Sequence, residues 1–406
     1  MAERPETAAG WRLEGYDRVP RPMRLDKAPR RLEILLLYNR PPLPMTRGDE
    51  LTVAHLLEFL HARGHSVDLV LLRSKGREPR PDHRSWLEAR SRSLRFIEVS
   101  RGETLFQAVL GLMRGWPLQV GMFYAPAQLE AATALAREHR HDLAYAYGIR
   151  GAEVLRRLEG RVRARILALQ VAQTLNTERL AANAARPWER LFYRLEHRLV
   201  GAYEARIWQG LARTVLIGKK DVAAIEAACR AHGQPPIDNA VLGPHGVDIA
   251  HFAPRPEAEE ADSVAMSGVM RYAPNVAAAL WFIDKVWPRI REVRPEARFF
   301  LVGRDPTPAL LAHDGRDGIT VTGTVDDPAE WIARAAVSVV PIRAAAGLQN
   351  KLLEALAMAR PVVATPEANE GIGAEPGRDL IEARDPEPFA RAVLDLLADP
   401  ARRRNL

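Results

Sequence analysis

Short, wholly apolar runs alternate with longer amphipathic stretches along this chain, stop once, and then begin again. An apolar run without polar interruption suits a strand covered on both faces, and the amphipathic stretches between such runs suit helices packed on a parallel sheet. The first run is ILLLY at 34–38; a Pro-rich loop over 39–48 follows, then an amphipathic helix over about 50–63. Gly64 is placed to cap that helix before a second strand over 67–72, which completes a βαβ unit. Further strands are expected at 95–99, 143–147, 165–171 and 214–218. The pattern breaks at VLGPHGVD (241–248) and the acidic run to 262, then restarts with strands at 264–268, 299–303, 319–322, 338–342 and 361–365. Helices are expected over 275–293, 328–335 and 349–359. The expected fold class is α/β with two Rossmann-like domains: a loose tail at 1–30, an N-terminal domain at 31–245, a linker at 246–262 and a C-terminal domain at 263–406.

A length of 406 residues fits two such domains. No stretch approaches ~18 uninterrupted apolar residues, and the first thirty residues lack the apolar centre of a secretory signal, so a cytoplasmic protein is expected. The single cysteine, Cys229, excludes an internal disulfide framework and a Cys-based zinc site. Charge is uneven. Residues 1–250 hold 39 Lys and Arg against 28 Asp and Glu, a balance of +11; the remainder holds 19 against 23, a balance of −4. An arginine-rich half suits contact with an anionic membrane, or reflects an Arg- and Ala-rich composition; nothing in it calls for nucleic acid.

Rossmann-like domains bind at the carboxyl ends of their strands, where helix N-termini face the crevice. The best such place is the strand ending at Ile342, the small-residue loop after it and the helix starting near Gln349. Free N–H groups of Gly347, Leu348, Gln349 and Asn350 suit a diphosphate, and Lys351 adds a point charge. Glu354, one turn on, has the geometry to accept both hydroxyls of a ribose. On spacing alone a plain surface helix with a Lys–Glu pair explains the same residues better.

The run 347–365 (GLQNKLLEALAMARPVVAT) resembles the donor-site signature of family-4-type glycosyltransferases with the GT-B fold. PHGVD at 244–248 is similar to that family's linker, SGVM at 267–270 followed by Asn275 to the loop opening its second domain, and Gly303 with Thr322, Gly323, Thr324 and Val325 to its nucleotide-side loops. GHSV at 64–67 resembles the end of its first helix, and the finer pattern is closest to sugar transferases of exosortase and exopolysaccharide systems. The resemblance implies a retaining, metal-independent transferase without a cofactor. Its partners would be a nucleotide-sugar donor and a saccharide or lipid-linked acceptor. Thr322 to Val325 would hold the nucleotide, Glu354 the ribose, and Gly268 with the start of the helix the diphosphate, while Gly48 of the N-terminal domain would touch the donor phosphates. Departures are specific. Ala346 stands where the family often has a first glutamate, Val269 and Pro274 replace its usual cations, and Tyr145-Ala146-Tyr147 replaces a His-x-His. Arg271, Arg343 and Lys351 are the candidates to rebuild the clamp. A GT-B nucleotide-sugar 2-epimerase and a non-catalytic nucleotide-sugar binder remain alternatives.

His245 and His251 show no metal-ligand spacing and read as polar linker residues. The helix from about 187 to 209 carries Trp188, Leu191, Phe192, Leu195, Leu199 and Tyr203 along one side with arginines elsewhere. That stripe is expected to pack on its own domain, lying on an anionic membrane being the other use of such a face.

Overall fold

The computed structural model describes Pro20 and residues 26–28, 30–45, 47–182, 186–343 and 348–406. The chain forms two compact units, one ending at Pro244 and the other running from His245 to Leu406.

The N-terminal unit is built on seven parallel strands: β1 (Glu33–Tyr38), β2 (Ser66–Ser74), β3 (Ser93–Val99), β4 (Leu143–Tyr147), β5 (Ala164–Gln170), β6 (Arg213–Leu216) and β7 (Ala240–Leu242), in the order β3-β2-β1-β4-β5-β6-β7. Helices cover both faces, which is why β1 is apolar throughout. Leu35 and Leu37 enter one core, while Ile34, Leu36 and Tyr38 enter the other. Strand β7 lies within the stretch read as the break between domains. Its Val241 and Leu242 are 40% and 45% exposed, because an edge strand has only one neighbour.

The C-terminal unit holds six parallel strands, β8 (Ser263–Ser267), β9 (Arg298–Val302), β10 (Ile319–Gly323), β11 (Val337–Val340), β12 (Val362–Ala364) and β13 (Ile381–Glu382), in the order β10-β9-β8-β11-β12-β13. Its main core centres on Phe282, Trp287, Phe299 and Phe389, with Phe282 4.8 Å from Phe299 between ring centroids. Eleven of the thirteen strands stand where the periodicity places them; β7 and β13, three and two residues long, are too short to show one. The helix expected over 275–293 is interrupted. Ala273–Trp281 and Trp287–Val293 flank a single wider turn at Phe282–Val286, which takes up the hydrogen bond that Pro288 is unable to donate.

Three further departures have physical causes. Most of the expected tail lies outside the described residues, but Asp26 to Ala28 are docked: Ala28 N–H donates to Arg63 O (2.9 Å), and Arg63 Nη1 donates to Asp26 O (2.7 Å). Residues 246–262, expected as a linker, make ion pairs to the C-terminal unit. Glu259 accepts from Arg360 and Arg403 (both 2.8 Å), and Glu260 pairs with Arg298 and Arg334. Finally, the helix Pro187–Ile207 packs only one end of its apolar stripe. Trp188, Leu191, Phe192 and Leu195 are exposed, Leu199 is half-buried, and Tyr203 is buried together with Glu196 and Glu204. The acids turn inward because backbone donors await them: Glu196 accepts from Leu118 N–H, and Glu204 from Gln173 and Thr174 N–H.

Candidate functional site

In the C-terminal sheet the chain steps outward from β8 to β10 on one side and from β11 to β13 on the other. The reversal leaves a crevice beyond the carboxyl ends of β8 and β11, which is where ligands of open parallel sheets bind. Two loops line it. After β8 comes Gly268; after β9 comes Gly303. They are zipped together by Gly268 N–H to Val302 O (2.9 Å) and Met270 N–H to Arg304 O (2.8 Å). A Cβ on Gly303 would stand 1.7 Å from Gly268 O, so the approach is open only to glycine. Thr322 ties in the third loop: its Oγ1 accepts from Gly303 N–H (3.3 Å) and donates to Gly323 O (3.0 Å).

The helix Asn350–Ala357 enters the same crevice after β11. Its Leu352 and Ala355 face the core, which turns Lys351 and Glu354 to the other side. Lys351 Nζ donates to Asn275 Oδ1 (2.9 Å) and to Gln349 Oε1 (3.1 Å), and its Cε would lie 3.2 Å from a Cβ on Gly268. The lysine is therefore aimed across the β8 loop by two neutral acceptors. Burial pulls its pKa down to about 8, partly offset by Glu354. Burial likewise pushes Glu354 up to about 7, with Lys351 opposing. Among the described residues Glu354 makes no side-chain hydrogen bond or ion pair. A turn of helix thus presents a cation and a carboxylate, both poorly solvated, to one crevice. His245 lies against Asn350, the first residue of that helix, and burial holds its pKa below the ordinary histidine value.

The other expected residues divide. Gly323 turns the chain out of β10, and half-buried Thr324 and Val325 follow it, Val325 packing on Phe300 and Trp331. Leu348 packs on the 371 loop, where a Cβ on Gly371 would come 3.3 Å from its Cα. Gly347 and Ala346 lie outside the described residues. Arg271 is exposed and 3.4 Å from Asp305, and Arg343 is stacked 5.3 Å over the Trp281 ring, so both have partners away from Lys351. Gly48, in the N-terminal unit, is the exposed first residue of the helix Gly48–Ala62, with nothing within 4 Å of a Cβ placed on it. His251, taken as a plain linker residue, stands 3.0 Å from Asp327, the cap of the helix Pro328–Arg334. A surface hollow of about 520 Å³ lies at the opposite, amino end of β8, β9 and β10, beside Asp262, Arg298 and Gly318. It faces none of these groups.

A second polar cluster went unread in the sequence. The N-terminal sheet reverses between β1 and β4, and beyond their carboxyl ends lie Tyr38, Asn39, Arg40, Asp49, Glu50 and Arg150. Tyr38 Oη donates to Asp49 Oδ2 (2.8 Å), and Arg40 lies 3.7 Å from Asp49 and 3.6 Å from Glu50. Arg150 is stacked 4.3 Å over Phe123, its pKa lowered by burial and by Arg40; burial pushes Tyr147 up to about 12. Asn39 is 7% exposed, and its Nδ2 has no hydrogen-bond partner among the described residues. The available signal was Gly148 closing a strand just before Arg150, opposite the charged residues 47–50.

Residues 261–399 match the family described as glycosyl transferases group 1. At 19% identity the chain is similar to an uncharacterized 44.6 kDa protein in the cps region of Klebsiella pneumoniae, over 89% of this chain and 90% of that one. Among solved structures, it shares its fold with sucrose-phosphate synthase from Thermosynechococcus elongatus (TM-score 0.60, 18% identity) and with Anabaena HepE in complex with UDP (TM-score 0.60, 14% identity); each alignment covers 92% of both chains. The two-sheet α/β architecture is that of GT-B glycosyltransferases, and the C-terminal unit carries a group 1 glycosyltransferase domain. The chain is by that domain a glycosyltransferase.

Proposed function

We propose that the chain transfers a sugar from a nucleotide-diphosphate donor, bound by the C-terminal unit, to a hydroxyl of a saccharide or lipid-linked acceptor bound by the N-terminal unit. The observation that carries this reading is the placing of Lys351 and Glu354 on one side of the helix that opens at the sheet reversal, against Gly268. In the transfer the bond between the anomeric carbon and the phosphate oxygen breaks, and negative charge grows on the leaving diphosphate. Lys351, already oriented by Asn275 and Gln349, and the free N–H groups of the helix start meet that charge without reorganising. Gly268 lets the phosphates approach the backbone, Thr324 and Val325 flank the base, and Glu354 accepts from the ribose. Arg271 and Arg343 belong to the clamp only if the donor draws them from Asp305 and Trp281. In the N-terminal unit Asn39 Nδ2, without a hydrogen-bond partner among the described residues, and the Arg150 guanidinium offer the acceptor hydrogen-bond donors. Retention of configuration rests on the family resemblance.

HepE was solved with UDP, which makes a uridine diphosphate sugar the first donor to try. The relative from a cps region supports a product in cell-surface polysaccharide or glycolipid. A charged hydrogen bond contributes about 1.5–3 kcal/mol, so Glu354→Ala should raise the donor KM roughly ten- to a hundredfold, with kcat less affected. Circular dichroism is the control for folding. Unchanged donor KM in a folded Glu354→Ala protein would remove this helix from the donor site. Ala346, where a sugar-contacting glutamate is common, favours one rival, a protein that holds the donor without turning it over. Donor binding with no transfer to any acceptor would establish it, and epimerised donor formed without acceptor would establish an epimerase.

A further inference from the structure

The N-terminal unit turns two apolar stripes to the outside. In the helix Arg101–Met113, Leu105, Phe106, Val109, Leu112 and Met113 are exposed, at the spacing of a single helix face. Its inner face is made of Ala108 and Gly111. Gly111 is pressed so closely on the helix Leu118–Phe123 that a Cβ there would stand 2.8 Å from Gly121 Cα. Small residues thus anchor the helix while its large apolar side chains point away from the protein, the reverse of an ordinary surface helix. The first half of the helix Pro187–Ile207 also turns large apolar side chains outward, with Trp188, Leu191, Phe192 and Leu195 exposed, while its second half is anchored by buried Val200, Tyr203 and Ile207. The two are joined structurally, since Leu118 N–H donates to Glu196 Oε2 (3.0 Å). Single exposed leucines are common on soluble proteins; two runs of exposed large apolar side chains on joined helices mark a contact surface.

Charge says what the contact is. Arg101 and Arg114 bracket the first stripe, and exposed Arg190, Arg194 and Arg198 run beside the second, two of whose helix's acids, Glu196 and Glu204, are buried. A second copy of the chain laid face to face would set arginine against arginine. A bilayer with anionic headgroups matches both features: acyl boundary for the stripes, phosphates for the guanidinium groups. We propose that this face docks the protein onto an anionic membrane surface. The proposal concerns the N-terminal unit and goes beyond the donor-site reading without resting on it.

The test uses the full chain with vesicles of phosphatidylcholine alone or mixed with phosphatidylglycerol. Sedimentation should recover the protein with the mixed vesicles only, and added salt should release it. Each of Arg190→Gln, Arg194→Gln and Arg198→Gln should weaken binding about fivefold. Leu105→Ser with Phe106→Ser, or Leu191→Ser with Phe192→Ser, should weaken it more than tenfold while melting temperature and turnover on a water-soluble acceptor stay as in the wild type. That separation keeps a failure here distinct from a failure of the transferase reading. Should the serine pairs unfold, bromine-labelled lipids should still quench the wild-type tryptophan emission, and Trp188→Phe should remove that quenching. Equal recovery with neutral and mixed vesicles overturns the proposal, as does dimerisation abolished by the stripe variants without any vesicle binding, which would assign the face to a second copy.

Discussion

Lys351 and Glu354 have proton affinities displaced in opposite directions by one cause, removal from water, to about 8 and about 7. In the proposed donor site, binding needs the lysine charged and the glutamate ionised. The affinity therefore falls as pH rises through 8 and falls again as pH drops through 7, and kcat/KM for the donor should trace a narrow bell with its maximum between them. Glu354→Gln should remove the acid limb, and Lys351→Arg the alkaline one; a flat profile across this range would show that neither group titrates in the free enzyme. The same shift has a stability side. Between pH 4.5 and 7 the folded protein holds a proton on Glu354 that the unfolded chain has lost, so this group's contribution declines as pH rises. Donor-free Glu354→Gln should accordingly melt higher than wild type at pH 8 by calorimetry. Their spacing on one helix was visible in the sequence, but by itself it suited a plain surface helix better, and the resemblance singled the two residues out. Asn275, which aims the lysine, lies on another element and was visible only as part of a resemblance. The partners of Arg271 and Arg343 were illegible because Asp305 and Trp281 are brought to them by the fold.

At the scale of elements, periodicity located strands and helices well because each buried strand is apolar on both faces and each helix shows its turn. It does not say which face of a helix has a neighbour. The stripe of Pro187–Ile207 was visible, but its orientation depended on backbone donors at Leu118, Gln173 and Thr174, far away in sequence. Edge strands are the second blind spot, since β7 and β13 are too short to carry a pattern. Close approaches of elements give sharp tests. Gly303→Ala places a methyl on the carbonyl of Gly268 and should part the two loops, abolishing donor binding in a thermal-shift assay. Gly111→Val should lever the helix Arg101–Met113 off Gly121 and cost about 1–3 kcal/mol of stability in urea unfolding, leaving donor affinity unchanged.

On the scale of the whole chain, each unit has its own sheet and cores, and the two-sheet α/β class was legible because the alternation stops and restarts. What the sequence concealed was the allegiance of the residues between. A nucleotide that binds only the C-terminal unit should raise the melting of that unit alone. Hydrogen exchange with and without UDP should show protection confined to residues after 245, and protection spread evenly over both units would contradict a donor site built from one. The ion pairs of Glu259 and Glu260 bear on how the two units can be separated or exchanged with those of other proteins. Arg360 is 5% exposed, and Glu259 is its one carboxylate partner among the described residues. A fragment cut at 263, where the strand pattern resumes, would strand that guanidinium without its counter-charge, at a cost of about 3–5 kcal/mol. The natural seam is the peptide between Pro244 and His245. A fragment begun there keeps its acidic clasp, and any chimaera that crosses over later inherits one half of a lock from each parent.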